Sequence, residues 1–210
     1  MTMKTNINPY FRILVALLCL NSLGDVYSQV RVDFEPRTAT ETPGQTVYSI
    51  KGDFTLVGNT NLTLQDYSDS TNNSGETMIY VDEDGNSLPA TVATINSSSA
   101  TLEFSEENNA VQECSNILFA GLYWTGRGAS SLTTSQKRSI KFKGPGQSYK
   151  TLMAPTSDIN YPGDNDMYAA YIEVTSEVKA GGLGQYFVAD IALTAGNGGS
   201  TGYYGGWGMV

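Results

Sequence analysis

The chain has 210 residues, a formal charge of −9 and no histidine. Without histidine the usual general base, zinc ligand and neutral-pH switch are missing, which excludes Ser-His and Cys-His catalysis. The acidic excess keeps the surface soluble and repels nucleic acid and anionic membranes at long range.

Residues 1–28 read as a secretory signal peptide. Lys4 and Arg12 make a positive start, residues 13–20 (ILVALLCL) an apolar core too short to span a bilayer, and Val26-Tyr27-Ser28 suits a cut before Gln29. Cys19 follows Leu18, which is too large for a lipoprotein cleavage site. The sequence thus predicts a secreted or cell-surface protein, on the exterior of the outer membrane, with no transmembrane span in the mature chain. Such a cut leaves Cys114 as the one cysteine, so no internal disulfide can form. Either Cys114 is buried as a small hydrophobe or its partner lies elsewhere.

Past Gln29 the pattern is short alternating segments separated by Gly, Asn, Ser and Asp, as in antiparallel strands and turns. Val30, Val32 and Phe34 alternate in an opening strand, and residues 29–45 form that strand and a connecting segment. Residues 46–210 form the main domain. Phe54 and Leu56, then Leu62 and Leu64, keep a period of two on either side of Gly58-Asn59, read as a turn. Residues 78–81 lead into Asp82-Glu83-Asp84-Gly85-Asn86, where Asp84-Gly85 reads as a hairpin turn rather than a calcium loop. Val92, Ile95, Leu102 and Phe104 continue beyond it.

Residues 117–124 (ILFAGLYW) are short, apolar and unalternating, which predicts a central strand buried on both faces. Further strands are expected at 139–143, 148–152, 168–174 and 185–194. One helical turn is expected at 176–179, capped by Thr175 or Ser176 and ended by Ala180-Gly181-Gly182. Residues 66–75 and 127–136 read as exposed polar loops. About ten short strands with almost no helix predict an all-β fold: an antiparallel two-sheet β-sandwich of jelly-roll type, with a closed barrel as the second possibility. The apolar end, Tyr203-Tyr204-Gly205-Gly206-Trp207-Gly208-Met209-Val210, reads as a strand cut short, so that the domain is truncated at its C-terminus.

Three features bear on function. Asp158, Asn160, Asp164 and Asp166 in DINYPGDND surround a proline-glycine bend, so their oxygens can fold around one hard cation; calcium is the cofactor this allows. Lys137, Arg138, Lys141, Lys143 and Lys150 concentrate positive charge; this is either a patch for an acidic polysaccharide or acidic module, or a solvated sheet face. Tyr161, Tyr168, Tyr171, Tyr186, Tyr203 and Tyr204 crowd the last third, where rings suit sugar or protein surfaces and strand propensity equally enriches them.

Residues 114–124 (CSNILFAGLYW), then IKFK at 140–143 with Pro145-Gly146, YIEVT at 171–175 and Gly206-Trp207 resemble the N-terminal region of very large Bacteroidetes surface proteins. Those proteins are associated with gliding motility or carry a type IX secretion sorting domain. The resemblance covers residues 52–210 and is most specific at AGLYW. It implies a cell-surface location and a strand that continues after Gly-Trp through valines; Glu173 stands where the family often has Asp, and the resemblance brings no catalytic residues.

The expectation is a non-catalytic extracellular module for adhesion, recognition or structural display. Its partners are an extracellular polysaccharide or protein, or neighbouring domains of the same protein. The competing classes are a carbohydrate-binding module, which needs exposed coplanar rings on one sheet face, and a carbohydrate-active enzyme, for which Glu173, Glu177 and Asp190 are the candidate carboxylates.

Overall fold

The computed structural model describes residues 36–70, 72–73, 75–85, 94–104, 111–162 and 166–210. The signal-peptide reading, the opening strand at Val30 to Phe34, Val92 and Asp164 lie outside the described residues. All described residues belong to one unit, residues 35–210.

Two antiparallel sheets face each other. The five-stranded sheet runs β1-β11-β5-β9-β8: β1 (Val57–Thr60), β5 (Gly121–Arg127), β8 (Ile159–Asn160), β9 (Met167–Glu173) and β11 (Tyr204–Met209). The four-stranded sheet runs β4-β10-β6-β7: β4 (Ser97–Leu102), β6 (Ser139–Lys143), β7 (Lys150–Met153) and β10 (Gly184–Ala189). A hairpin of β2 (Leu62–Leu64) and β3 (Met78–Tyr80) completes the all-β, sandwich-like fold. Among the described residues the strands form separate sheets and no closed barrel.

Period-two alternation supplies the core. Leu122 and Trp124 of β5, with Trp207 and Met209 of β11, turn inward against Ile140 and Phe142 of β6 and Tyr186 and Val188 of β10. Burial of such side chains is the main stabilising term, about 1.5–3 kcal/mol each. Inside, the Trp124 indole donates to the Lys137 carbonyl at 2.9 Å, as a buried N–H must find a partner.

Several expectations change. β5 is central, with β11 and β9 as neighbours, but only its inner face is covered. Tyr123 is 40% exposed, because the outer side of a sandwich sheet faces solvent, and Leu118, 44% exposed, lies before β5 begins at Gly121 and outside the sheet. Gly58-Asn59 is no turn: both lie inside β1, opposite Gly208 and Trp207. The strand expected to run to residue 194 stops at Ala189, because Asp190 adopts φ 57°, a left-handed conformation that ends the ladder.

Helix is more plentiful than the sequence suggested. α1 (Thr134–Arg138) occupies part of the supposed loop at 127–136, opened by a capping box between Thr133 and Gln136. α2 (Thr175–Gly181) begins one residue before the expected turn, and its N-cap is Val174, which offers no side-chain cap. Thr175 is spent elsewhere: its hydroxyl accepts the Ala120 N–H at 3.0 Å, tying α2 to the approach to β5. Cys114 is exposed in a 3-10 turn (Gln112–Cys114), so it is not a core hydrophobe. Among the described residues no helix is long and apolar enough to cross a membrane.

Candidate functional site

The five clustered bases do not make one patch, because a helix followed by an alternating strand points them in different directions. Lys137, on α1, is buried, its ammonium 5.4 Å from the Tyr161 ring centre and 5.9 Å from that of Tyr168. Arg138 donates from Nε to the Ala154 carbonyl at 2.7 Å. Lys150 reaches Glu177 on α2. Lys141 and Lys143 alone share the outer face of the four-stranded sheet. There Lys141 pairs with Asp190 at 2.8 Å, and the Lys143 ammonium sits 4.2 Å from the Phe187 ring centre and 4.6 Å from that of Tyr149.

The three candidate carboxylates are each engaged by different partners. Glu173 accepts from the Thr40 backbone N–H at 2.8 Å and from the Thr40 hydroxyl. Burial pushes its carboxyl up, but hydrogen bonds from Thr40 and Thr175 outweigh this and hold it below the usual carboxylate range. Glu177 behaves alike, with burial opposed by hydrogen bonds from Lys150 and Ser176. Asp190 accepts the Ile95 N–H at 2.7 Å besides pairing with Lys141. A glycosidase acid needs the opposite, a carboxyl raised toward neutrality. The hollow beside Glu173, lined by Thr40, Glu41, Thr175 and Ser176, measures about 150 Å³, below the roughly 300–1,000 Å³ of ligand pockets.

A larger cleft of about 390 Å³ lies between Phe104, Gln112, Asn116, Ile117, Lys179 and Leu183. Among its described lining residues the one charged group, Lys179, pairs with Glu41.

In the acidic stretch, Asp158 ends a 3-10 turn and pairs with Arg37, whose guanidinium also lies 4.2 Å from the Tyr171 ring centre. Asn160 is in β8, opposite Ala169. Asp166 precedes β9, and its carbonyl accepts the Gly128 N–H at 3.2 Å. Among the described residues, no three Asp, Glu, His or Cys side chains gather as a metal would require. Arg37 supplies, at Asp158, the positive charge a cation would bring.

Both tryptophans are buried, at 0% and 6% exposure, so neither offers a sugar platform. On the outer face of the five-stranded sheet Tyr123 meets Tyr171 at 4.8 Å between ring centres, tilted by 44°, with Arg37 covering Tyr171. Two arrangements escaped the sequence. Asn61, Asn96 and Ser98 form a buried network, and Arg127 donates to the Gly202 and Gly198 carbonyls at 2.7 and 3.3 Å, pinning the glycine-rich stretch before β11. A glycine-rich loop before an apolar strand, with an Arg at the end of its neighbour, was the available signal for the second.

Comparison with family models, curated proteins and solved structures finds no match for this chain.

Proposed function

We propose that this chain is a non-catalytic extracellular β-sandwich module of a cell-surface protein, serving adhesion or recognition or displaying neighbouring domains. The observation that carries this reading is the separate engagement of Glu173, Glu177 and Asp190 by Thr40, Lys150 and Lys141. A pair of carboxyls about 5–10 Å apart across an open groove would be needed for glycoside hydrolysis, one of them raised in pKa. Instead the carboxylates hold the fold together, and the sandwich leaves its loops and outer sheet faces for contact. The resemblance to Bacteroidetes surface proteins supports export, and the acidic charge disfavours nucleic acid. The buried tryptophans weigh against a carbohydrate-binding module built on stacking platforms.

The test is turnover. Purified protein incubated with a panel of polysaccharides should release no reducing ends above blank. Release that disappears in Glu173→Gln or Asp190→Asn would establish an enzyme instead.

A further inference from the structure

One end of the sandwich, where β5 stops and β11 starts, carries three loops joined into a single surface, made by the described residues of 65–77 (65–70, 72–73 and 75–77), 128–133 and 194–203. Asn197 Nδ2 donates to the Gly75 carbonyl, and Met78 and Gly196 exchange backbone hydrogen bonds at 3.1 and 2.7 Å. The Ala129 N–H donates to the Thr194 hydroxyl at 2.8 Å, and Arg127 clamps Gly198 and Gly202 from behind. The clamp leaves no room for a side chain at Gly198, where a Cβ would meet the Gly202 carbonyl carbon at 2.4 Å. Loops fixed in this way lose little conformational freedom on binding, which favours affinity.

The composition of this end is that of protein-recognition loops. Residues 65–77 and 194–203 are mostly Tyr, Ser, Thr, Asn and Gly, the residue types that combine adaptable hydrogen bonding with rigid amphipathic anchors. Tyr67 is 70% exposed and Tyr204, at the start of β11 beside Arg127, is 38% exposed. Charge then selects the partner. Asp66, Asp69 and Glu76 are exposed on the first loop, and none of the three loops contains a lysine or arginine. The nearest cation, Arg127, is directed into backbone carbonyls.

Resting on the recognition reading above, we propose that this loop end docks a cationic face of a partner protein, with Tyr67 and Tyr204 as anchors and Asp66, Asp69 and Glu76 as its charge complement. Arginine is the partner residue best matched, since it both stacks on tyrosine and pairs with carboxylate.

Random twelve-residue peptides displayed on phage, selected on the folded protein, supply the probe. The enriched peptides, resynthesised, should be rich in Lys and Arg. Tyr67→Ala and Tyr204→Ala should each weaken them about tenfold or more. Asp66→Asn with Asp69→Asn, exposed changes that leave the core untouched, should weaken them similarly and flatten the salt dependence. Leu118→Ala, on the approach to β5 at its opposite end, should leave binding unchanged. Failure to enrich any peptide, enrichment of uncharged ones, or binding indifferent to these loop variants would overturn the proposal. Peptides that bind the cleft beside Leu183 would overturn it while leaving the recognition reading standing, and polysaccharide turnover would remove that reading on separate grounds.

Discussion

Trp207 and Ser98 tie the two sheets together through one buried hydrogen bond, the indole of β11 donating to the hydroxyl of β4 at 2.9 Å. Ser98 passes the chain on to the Asn61 carboxamide oxygen at 2.8 Å, and Asn61 donates to Asn96 at 2.9 Å and to the Val188 carbonyl at 3.0 Å. Asn96 finishes it at the Ile191 carbonyl, 2.9 Å away. With every member satisfied by protein partners, the network rigidifies the packing of β4, β10 and β11. Asn61→Ala strands the Ser98 hydroxyl and should cost about 1–3 kcal/mol, read as a lower urea midpoint at unchanged slope. A loss under about 0.5 kcal/mol would mean that the network is incidental.

The start of β5 at Gly121 separates two leucines that look alike in the sequence, Leu118 before the strand and Leu122 on its inner face. Leu122 is fully buried, and Leu122→Ala should cost about 2–5 kcal/mol. Leu118→Ala removes a half-exposed side chain and should cost under about 1 kcal/mol in the same denaturation experiment. Equal losses would place Leu118 in a second covered layer.

Acid should loosen the attachment of residues 37–41. Glu173 and Glu177 both have carboxyls held below their ordinary range in the folded protein. The stability they contribute is therefore in full force above the unfolded carboxyl value of about 4.3 and is lost as pH falls below it through the folded values. Thermal midpoints taken from pH 6 to pH 3 should fall through this window, and Glu173→Gln should shallow the slope. An unchanged slope in the variant would show that Thr40 does not depend on the carboxylate.

Calcium at Asp158, Asn160, Asp164 and Asp166 has to compete with Arg37 for the first of these ligands. Calorimetry should show no saturable binding below about 1 mM, the weak end for extracellular modules, and Arg37→Ala should strengthen whatever binding occurs. Micromolar binding by the unaltered protein would show that the loop yields Asp158 freely.

The sandwich is legible in the sequence because alternation survives wherever one face is buried: Ile140 and Phe142 point inward and Lys141 and Lys143 outward along β6. Gly58 misled for a physical reason. A Cβ there would lie 2.3 Å from the Trp207 carbonyl oxygen, so this glycine serves close strand approach and not a turn. α1 was overlooked although Thr133 and Gln136 spell a capping box, because five residues give too short a run for periodicity to register. The dispersal of the five bases and the pairing of Asp158 with Arg37 depend on contacts 13 to 121 positions apart along the chain, from the Trp124 indole on Lys137 to Arg37 on Asp158, which spacing alone does not reveal.

The most direct measurement of the central claim, that this module presents its loops outside the cell, is limited proteolysis of intact producing cells. Chymotrypsin should cut the chain after Tyr67, the exposed tyrosine of the 65–77 loop, the fragments separating on a denaturing gel, before any cytoplasmic marker appears. Protection of Tyr67 until the cells are lysed would contradict both export and the recognition role.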